Sequence, residues 1–372
     1  MKKLTLTTLL LTSTFSMAQE RNLVLVTIDG LRWQEVFQGK QQDLLDDKNF
    51  THHKNGLLKT IESQTTNQAK ETLMPFVWST IAKNGTLVGD RNQASNMSVA
   101  NQWHFSYPGY SEIFTGVTNP TLDSNAKKLN PETSFLEWLK NNKGYKNTAA
   151  FGSWDVFPYI LNAQRSGLYV NAGFDSAPAK YHSDAVTLLN ELQQEIPSPW
   201  HNVRLDSFTH RFAIDYIKEN KPRVVSISYG ETDDFAHDGR YDNYLNAAHR
   251  TDAFIADLWQ TLQSMEQYKN NTNLLIVTDH GRGQTAKDWQ HHASKQAVQA
   301  YMKGLKEHKE GVIGSAHIWF AALGPDIKPQ GVLKTSQELY QKQVAATALT
   351  LLDENVSEFN PKAGKPMLEV IK

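Results

Sequence analysis

The sequence predicts an α/β fold: a doubly wound, mostly parallel central sheet flanked by helices, with small cap-like insertions. Three observations carry that expectation. Apolar, β-branched runs stop abruptly at acidic or Asp-His-Gly clusters. Segments with apolar residues spaced three and four apart separate those runs, the period of a helix packed on one face. The chain has 372 residues and is 40% hydrophobic, enough to bury a large core.

The elements follow in order. The N-terminus, MKKLTLTTLLLTSTFSMAQE, has two lysines, a short apolar run and a small-x-small cleavage site at Ser16-Met17-Ala18. It reads as a signal peptide over residues 1–18, so the mature chain is expected as one domain over 19–372, exported to the periplasm or secreted. No other run is apolar enough to span a bilayer. NLVLVTIDG (22–30) reads as a buried parallel strand that delivers Asp29 at its carboxyl end. RVVSISYGETDD (223–234) and NLLIVTDHG (273–281) repeat the device, and 145–154 and 317–325 are further strands. Helical periodicity covers 134–142, 206–220, 242–265 and 336–352. The stretches 38–70 and 155–204 are polar and weakly periodic; insertions near 38–100 and 155–204 are expected over the sheet edge. In open α/β sheets, ligands bind at the carboxyl ends of the strands, where the Asp and His residues fall.

Charge and composition narrow the chemistry. Lys plus Arg number 38 against 39 Asp plus Glu, so the net charge is −1 and gives no electrostatic case for nucleic acid or an anionic membrane. An anionic substrate must instead be held by metal ions or oriented backbone amides. The absence of cysteine removes disulfides, thiol nucleophiles and Cys-built zinc sites. Metal ligands are left to Asp, Glu, His or a hydroxyl.

Taken singly, the candidates are ambiguous. Asp29 before Gly30 fits a turn residue or helix cap as well as a ligand. Asp233 and His237 are four apart, which places both on one helical face as a metal pair requires, yet 231–242 also reads as a solvated acidic loop. Asp279 and His280 are adjacent at a strand terminus. His317 precedes a strand, where a lone His is usually structural. Together, three strand ends present Asp at one edge of one sheet, two of them with His nearby. Carboxylates grouped with neutral imidazoles suit Zn²⁺ first and Mn²⁺ second, ahead of Mg²⁺ or Ca²⁺. HFSYPGYSEIFTG (104–116) adds a hydroxyl at a helix start, beside free N–H groups and the positive end of the dipole.

The order I-D-G, S-Y-P-G, D-x-x-x-H, T-D-H-G and a late His resembles the alkaline phosphatase superfamily, in particular its type I phosphodiesterase and nucleotide pyrophosphatase branch. The resemblance runs over essentially the whole mature chain. It implies one metal held by Asp29, Ser106, Asp279 and His280, and a second by Asp233, His237 and His317. That branch carries Thr-Phe-Pro-Asn with a nucleophilic threonine. Here Ser-Tyr-Pro-Gly stands in its place, which makes Ser106 the nucleophile, metal coordination lowering its pKa. Asn125 matches, at a shifted spacing, an Asn that holds a phosphoryl oxygen; it is otherwise a simple loop residue.

The implied activity is hydrolysis of a small phosphorylated substrate, a phosphodiester or nucleotide, through a phospho-serine intermediate with two divalent ions. Arg32 and Arg282 follow metal ligands and could approach the phosphate, as an arginine does in phosphomonoesterases. Trp33, Trp103, Tyr107 and Tyr110 could stack on a substrate or simply pack. A phosphomonoesterase of the alkaline phosphatase or phosphoglycerate mutase kind is therefore an alternative. A sulfatase is another, although Tyr110 replaces the arginine of its motif. A non-enzymatic alternative is an exported protein that binds metal only.

Overall fold

The computed structural model describes residues 20–335 and 337–372, so the leader reading of residues 1–18 lies outside them. In chain order the strands are β1 (Asn22–Ile28), β2 (Thr86–Val88), β3 (Met97–Ser98), β4 (Ala149–Gly152) and β5 (Tyr169–Ala172). They continue with β6 (Val224–Tyr229), β7 (Thr272–Thr278), β8 (Phe320–Leu323), β9 (Gly331–Val332) and β10 (Leu339–Tyr340). Eight of them form one sheet in the order β5-β4-β6-β1-β7-β8-β2-β9, while β3 and β10 pair separately. The five strands from β5 to β7 run parallel. β8 is antiparallel to both β7 and β2.

β1 lies at the middle of the parallel part and is buried at all seven positions. Alternate side chains point to opposite faces. Val24, Val26 and Ile28 meet a helical layer that includes Asp206–Asn220 and Tyr241–Ser264. Leu23 and Leu25 meet the opposite layer, built from Ser106–Thr115, Phe135–Asn142 and Gln343–Leu351. A strand covered on both faces has no reason to alternate polar with apolar, which is why NLVLVTI reads as a continuous apolar run.

Register positions the site. Ile28 of β1 pairs with Tyr229 of β6 and with Thr278 of β7. The residues that follow, Asp29, Gly230 and Asp279, therefore leave the sheet side by side at one edge. Asp233 is carried there by the helix Glu231–His237 that starts immediately after β6.

Several expectations need correction. The stretch 38–70 is not irregular: it forms helices Gln42–Asp46 and Gly56–Glu62 and the start of Thr66–Leu73, which pack Leu44, Leu45, Leu58, Ile61 and Leu73 into the core beside the sheet. Their caps are legible, with Asn55 accepting from Leu58 N–H and a Thr65/Gln68 capping box. The segment 155–204 contributes the edge strand β5, the helix Ala185–Glu195 and two shorter helices as well as loops. The helix expected over 336–352 begins at Gln343, because Leu339 and Tyr340 are drawn into pairing with Met97 and Ser98, and a short further helix, Val356–Phe359, follows it. Among the described residues, no helix is long and apolar enough to cross a membrane.

Candidate active site

Ser106 is the first residue of a ten-residue helix, with Phe105 in extended conformation before it. Its N–H has no intrahelical partner by virtue of that position, and the next N–H, of Tyr107, donates to Asn125 Oδ1 at 3.0 Å. The helix is seated tightly. A Cβ at Gly109 would collide with the Asp279 carbonyl oxygen, so only glycine lets this turn approach the end of β7. The seating brings Ser106 Oγ to 3.3 Å from His280 Nε2.

Around that hydroxyl the strand ends converge. His280 Nε2 lies 3.4 Å from Asp29 Oδ1, 3.5 Å from Asp279 Oδ2 and 3.6 Å from Asp233 Oδ1. His237 Nε2 is 3.1 Å from Asp233 Oδ2 and 3.1 Å from the Nε2 of His292, whose ring stacks on His280 at 3.7 Å. Second hydrogen bonds orient the imidazoles. His280 Nδ1 faces the Gly281 carbonyl at 2.9 Å and His292 Nδ1 faces the His104 carbonyl at 3.1 Å. With Nδ1–H donating there, each Nε2 is left as a lone-pair donor for a cation. Tyr110, in the position of the sulfatase arginine, donates its hydroxyl to Asp29 Oδ2 at 3.0 Å.

The electrostatics are those of an anionic nest. Burial, then the charge of Asp233, pushes the Asp29 carboxyl up, and burial followed by Asp29 does the same to Asp279. Burial opposes ionisation of Asp233 too, but His237 and Arg282 outweigh it and hold that carboxyl well below the usual range. Burial disfavours a charged His280, yet Asp279, Asp29 and Asp233 overcome it and raise the ring to about 9. Burial, reinforced by His280, drives His292 well below its ordinary value.

The nest fits metal ions on an observation of its own. Asp29 Oδ1 and Asp279 Oδ2 are buried and have no hydrogen-bond partner among the described residues. Oxygens in that state are costly unless a cation takes them. Two overlapping sets, Asp29–Asp279–His280 and Asp233–His280–His292, hold their donor atoms within 4.8 Å of one another.

The structure thus brings together Asp29, Ser106, Asp233, His237, Asp279 and His280, with Asn125 at the rim. It does not bring His317. That ring has its Nδ1 3.1 Å from Gln284 Nε2, and burial, then Arg91, lowers it to about 4. The His317 carbonyl instead packs against Gly281, where a Cβ would collide with it. His292, which sequence reasoning missed, stands beside Asp233 and His237 instead; the His291-His292 pair ten residues beyond Asp279-His280-Gly281 was the available signal.

Two substrate contacts are also corrected. Tyr107 is buried in the core, its hydroxyl bonded to the Lys128 and Tyr159 carbonyls, so it offers no face for stacking. Arg32 is fully buried and held by Glu35 and the Gly283 carbonyl.

A cavity of about 490 Å³ opens over the nest, with Ser106, Asn125, Lys127, Trp154, Asp155 and Tyr301 among its walls. Lys127 Nζ is paired with Asp155 at 2.7 Å.

A serine at a helix start beside clustered Asp and His at the carboxyl edge of a parallel sheet is the arrangement that the resemblance to the alkaline phosphatase superfamily leads one to expect. Within it, the chain belongs to the type I phosphodiesterase / nucleotide pyrophosphatase family, whose model matches residues 23–326. Solved structures share the fold at low identity. The alkaline phosphatase PafA is 13% identical with a TM-score of 0.56, over 95% of this chain and 100% of that one. The phosphonate monoester hydrolase SpPMH from Silicibacter pomeroyi is 15% identical with a TM-score of 0.53, over 94% of this chain and 76% of that one. A 2-O GAG sulfatase is 13% identical with a TM-score of 0.54, over 94% and 73%. No curated protein matches the sequence.

Proposed function

We propose that this chain is an exported phosphodiesterase that uses two divalent ions, Zn²⁺ by preference, and a covalent phospho-Ser106 intermediate. The observation that carries the reading is the Ser106 hydroxyl. It stands at a helix start, 3.3 Å from His280, on the wall of a cavity floored by Asp29, Asp233 and His237. Asp29, Asp279 and His280 would hold one ion and Asp233, His237 and His292 the other. The ions supply charge neutralisation and acidify the hydroxyl.

The chain's own groups do the rest. Ser106 Oγ forms a bond to phosphorus as the bond to the leaving alcohol breaks, and water then releases phosphate monoester and regenerates the serine. Asn125, whose Oδ1 is taken by Tyr107 N–H, offers its amide N–H₂ to a non-bridging oxygen, next to the unpaired Ser106 N–H. A diester is favoured over a monoester because the arginines are committed elsewhere: Arg32 to Glu35, Arg282 to Asp233. Among the described residues, Lys127 is the one Lys or Arg side chain lining the cavity, and it is paired with Asp155, which suits a singly charged phosphate better than a doubly charged one.

The test is turnover of bis-p-nitrophenyl phosphate against p-nitrophenyl phosphate and p-nitrophenyl sulfate by the Zn²⁺-loaded protein. Diester preference is expected, with Ser106→Ala losing about 10³-fold or more in kcat while retaining metal. Monoester or sulfate preference would overturn the substrate assignment. Full activity of Ser106→Ala would remove the nucleophile. Export is checked by the N-terminus of the protein recovered outside the cytoplasm.

A further inference from the structure

Among the described residues, Arg282 is the one guanidinium bonded to the ligand nest, and neither substrate binding nor the chemistry proposed above uses it. It is 1% exposed, and its three donor groups point to three acceptors. Nε bonds the Trp289 carbonyl at 3.1 Å, Nη2 the Gln290 carbonyl, and Nη1 the Asp233 carboxylate. Two of those acceptors belong to the loop that delivers His292, and the third is the carboxylate opposite it. Nη1 lies directly behind Gly30, where a Cβ would come within 2.8 Å of it and 2.5 Å of Asp233 Oδ1.

The loop depends on such fastening. Residues 283–292 contain no regular helix or strand. They fold back because Gly283 N–H donates to the His291 carbonyl at 3.0 Å and because Trp289 is buried against Phe50, Tyr241 and Tyr244. Those contacts fix where the loop packs. These contacts and the His104 carbonyl on His292 Nδ1 place the ring, but none of them ties it to Asp233, which comes from a segment almost sixty positions away in the chain. The rigid fork of one guanidinium spans that gap.

We propose that Arg282 is a positioning residue that assembles the Asp233–His237–His292 half of the metal site, by locking Asp233 and the Trp289-Gln290 carbonyls to one planar group. This rests on the two-ion reading above. The other half, Asp29, Asp279 and His280, comes from strand ends that the sheet register already aligns, and needs no such clamp. Arg282 therefore acts selectively on one half-site. Methionine keeps most of the volume but none of the bonds; lysine keeps the charge but has a single donor group for three acceptors.

The experiment is titration of metal-free protein with Zn²⁺ against a competing chromophoric chelator, alongside the visible spectrum of the Co²⁺-loaded form. Wild type is expected to take up two equivalents. Arg282→Met should keep one equivalent at wild-type affinity and lose the second by about 10–100-fold, the range for groups that orient metal ligands. Its Co²⁺ spectrum should match that of His292→Ala, and the double variant should lose little more than either single one. Arg282→Lys, which guards against a methionine variant that does not fold, should fall between. Two equivalents of undiminished affinity in Arg282→Met or Arg282→Lys would overturn the proposal. Equal weakening of both sites would do so too, by making Arg282 a general core residue. A wild type that binds fewer than two equivalents would instead bring down the two-ion reading, and this proposal with it.

Discussion

Asp279→Asn should change the sign of its effect with metal. In the metal-free protein, Asp279 Oδ2 is a buried acceptor without a partner, a state that costs about 1–3 kcal/mol. Its charge adds little net. Asp29 and Asp279 offer donor atoms within 4.8 Å of each other, and two carboxylates that close repel by about 3–4 kcal/mol at an effective dielectric of about 20. His280, 3.5 Å from Oδ2 and charged in the metal-free nest, returns a comparable attraction. What remains is the unsatisfied oxygen. Asparagine keeps Oδ1 as acceptor for Gly30 N–H, at 3.0 Å in the parent, and brings an N–H₂ within reach of Asp29 Oδ1, the other buried oxygen without a partner. The metal-free variant should therefore be more stable than wild type by about 1–3 kcal/mol. At about 2 °C per kcal/mol for a chain of this size, Tm should rise by about 2–6 °C. With Zn²⁺ at about 1,000 times Kd, wild type gains about 4 kcal/mol and the neutral amide forfeits most of it, so the order reverses. Differential scanning calorimetry with and without chelator reads both. A metal-free Asp279→Asn less stable than wild type by about 1 kcal/mol or more would show that the carboxylate is satisfied within the fold, and the case for a cation there would lose its physical basis.

Two further substitutions test other parts of the reasoning. Tyr110→Phe removes the 3.0 Å bond to Asp29 Oδ2 and should weaken the first Zn²⁺ equivalent by about 10–100-fold in a chelator competition, leaving the second unchanged. Asp252 is buried and accepts the Phe76 and Val77 N–H groups at 2.7 and 3.0 Å, and burial raises its carboxyl to about 7. A raised folded-state pKa means the folded chain keeps the proton longer than the unfolded one. The stabilisation is thus complete below about pH 4 and lost as pH rises through about 7. Asp252→Asn should flatten urea-derived stability across that window by up to about 1.4 kcal/mol per pH unit; an unchanged slope would refute the assignment.

The parallel sheet and the edge that carries Asp29, Asp233 and Asp279 were legible because a strand buried on both faces leaves an unbroken apolar run and must end somewhere specific. The helices at 206–220 and 241–264 were legible for the matching reason, an apolar stripe of period 3.6. The short helices within 38–70 were not: each buries only one or two large residues, too few to show a period against the polar background. His317 misled because it does lie at the correct end of the sheet. β8 runs antiparallel, with Phe320 beside Val277 near the end of β7, so the residues just before β8 arrive at the ligand edge. Their backbone closes over Gly281, and the imidazole is left beside Gln284. His292 was hidden because no periodicity governs 283–292; its place is set by Arg282, Trp289 and the His104 carbonyl, all tertiary contacts.

The two departures from family pattern in Ser-Tyr-Pro-Gly-Tyr acquire causes in the packing. At Gly109, the asparagine of the diesterase segment would need a Cβ where the Asp279 carbonyl sits, so in this chain the helix rides closer to β7 than a side chain allows. Closer seating shortens the path from the helix start to His280, which suits a serine: its hydroxyl reaches 3.3 Å from Nε2 without the added methyl of threonine. One turn on from Ser106, Tyr110 points back to Asp29, and its ring packs on Phe157 at 4.7 Å, the edge of the second core layer. The neutral phenol orients the Asp29 carboxylate without setting a positive charge beside it. The smaller residue at 109 and the neutral donor at 110 therefore belong to one arrangement, in which the Ser106 hydroxyl is brought close to His280 and the Asp29 carboxylate is held by a donor without charge.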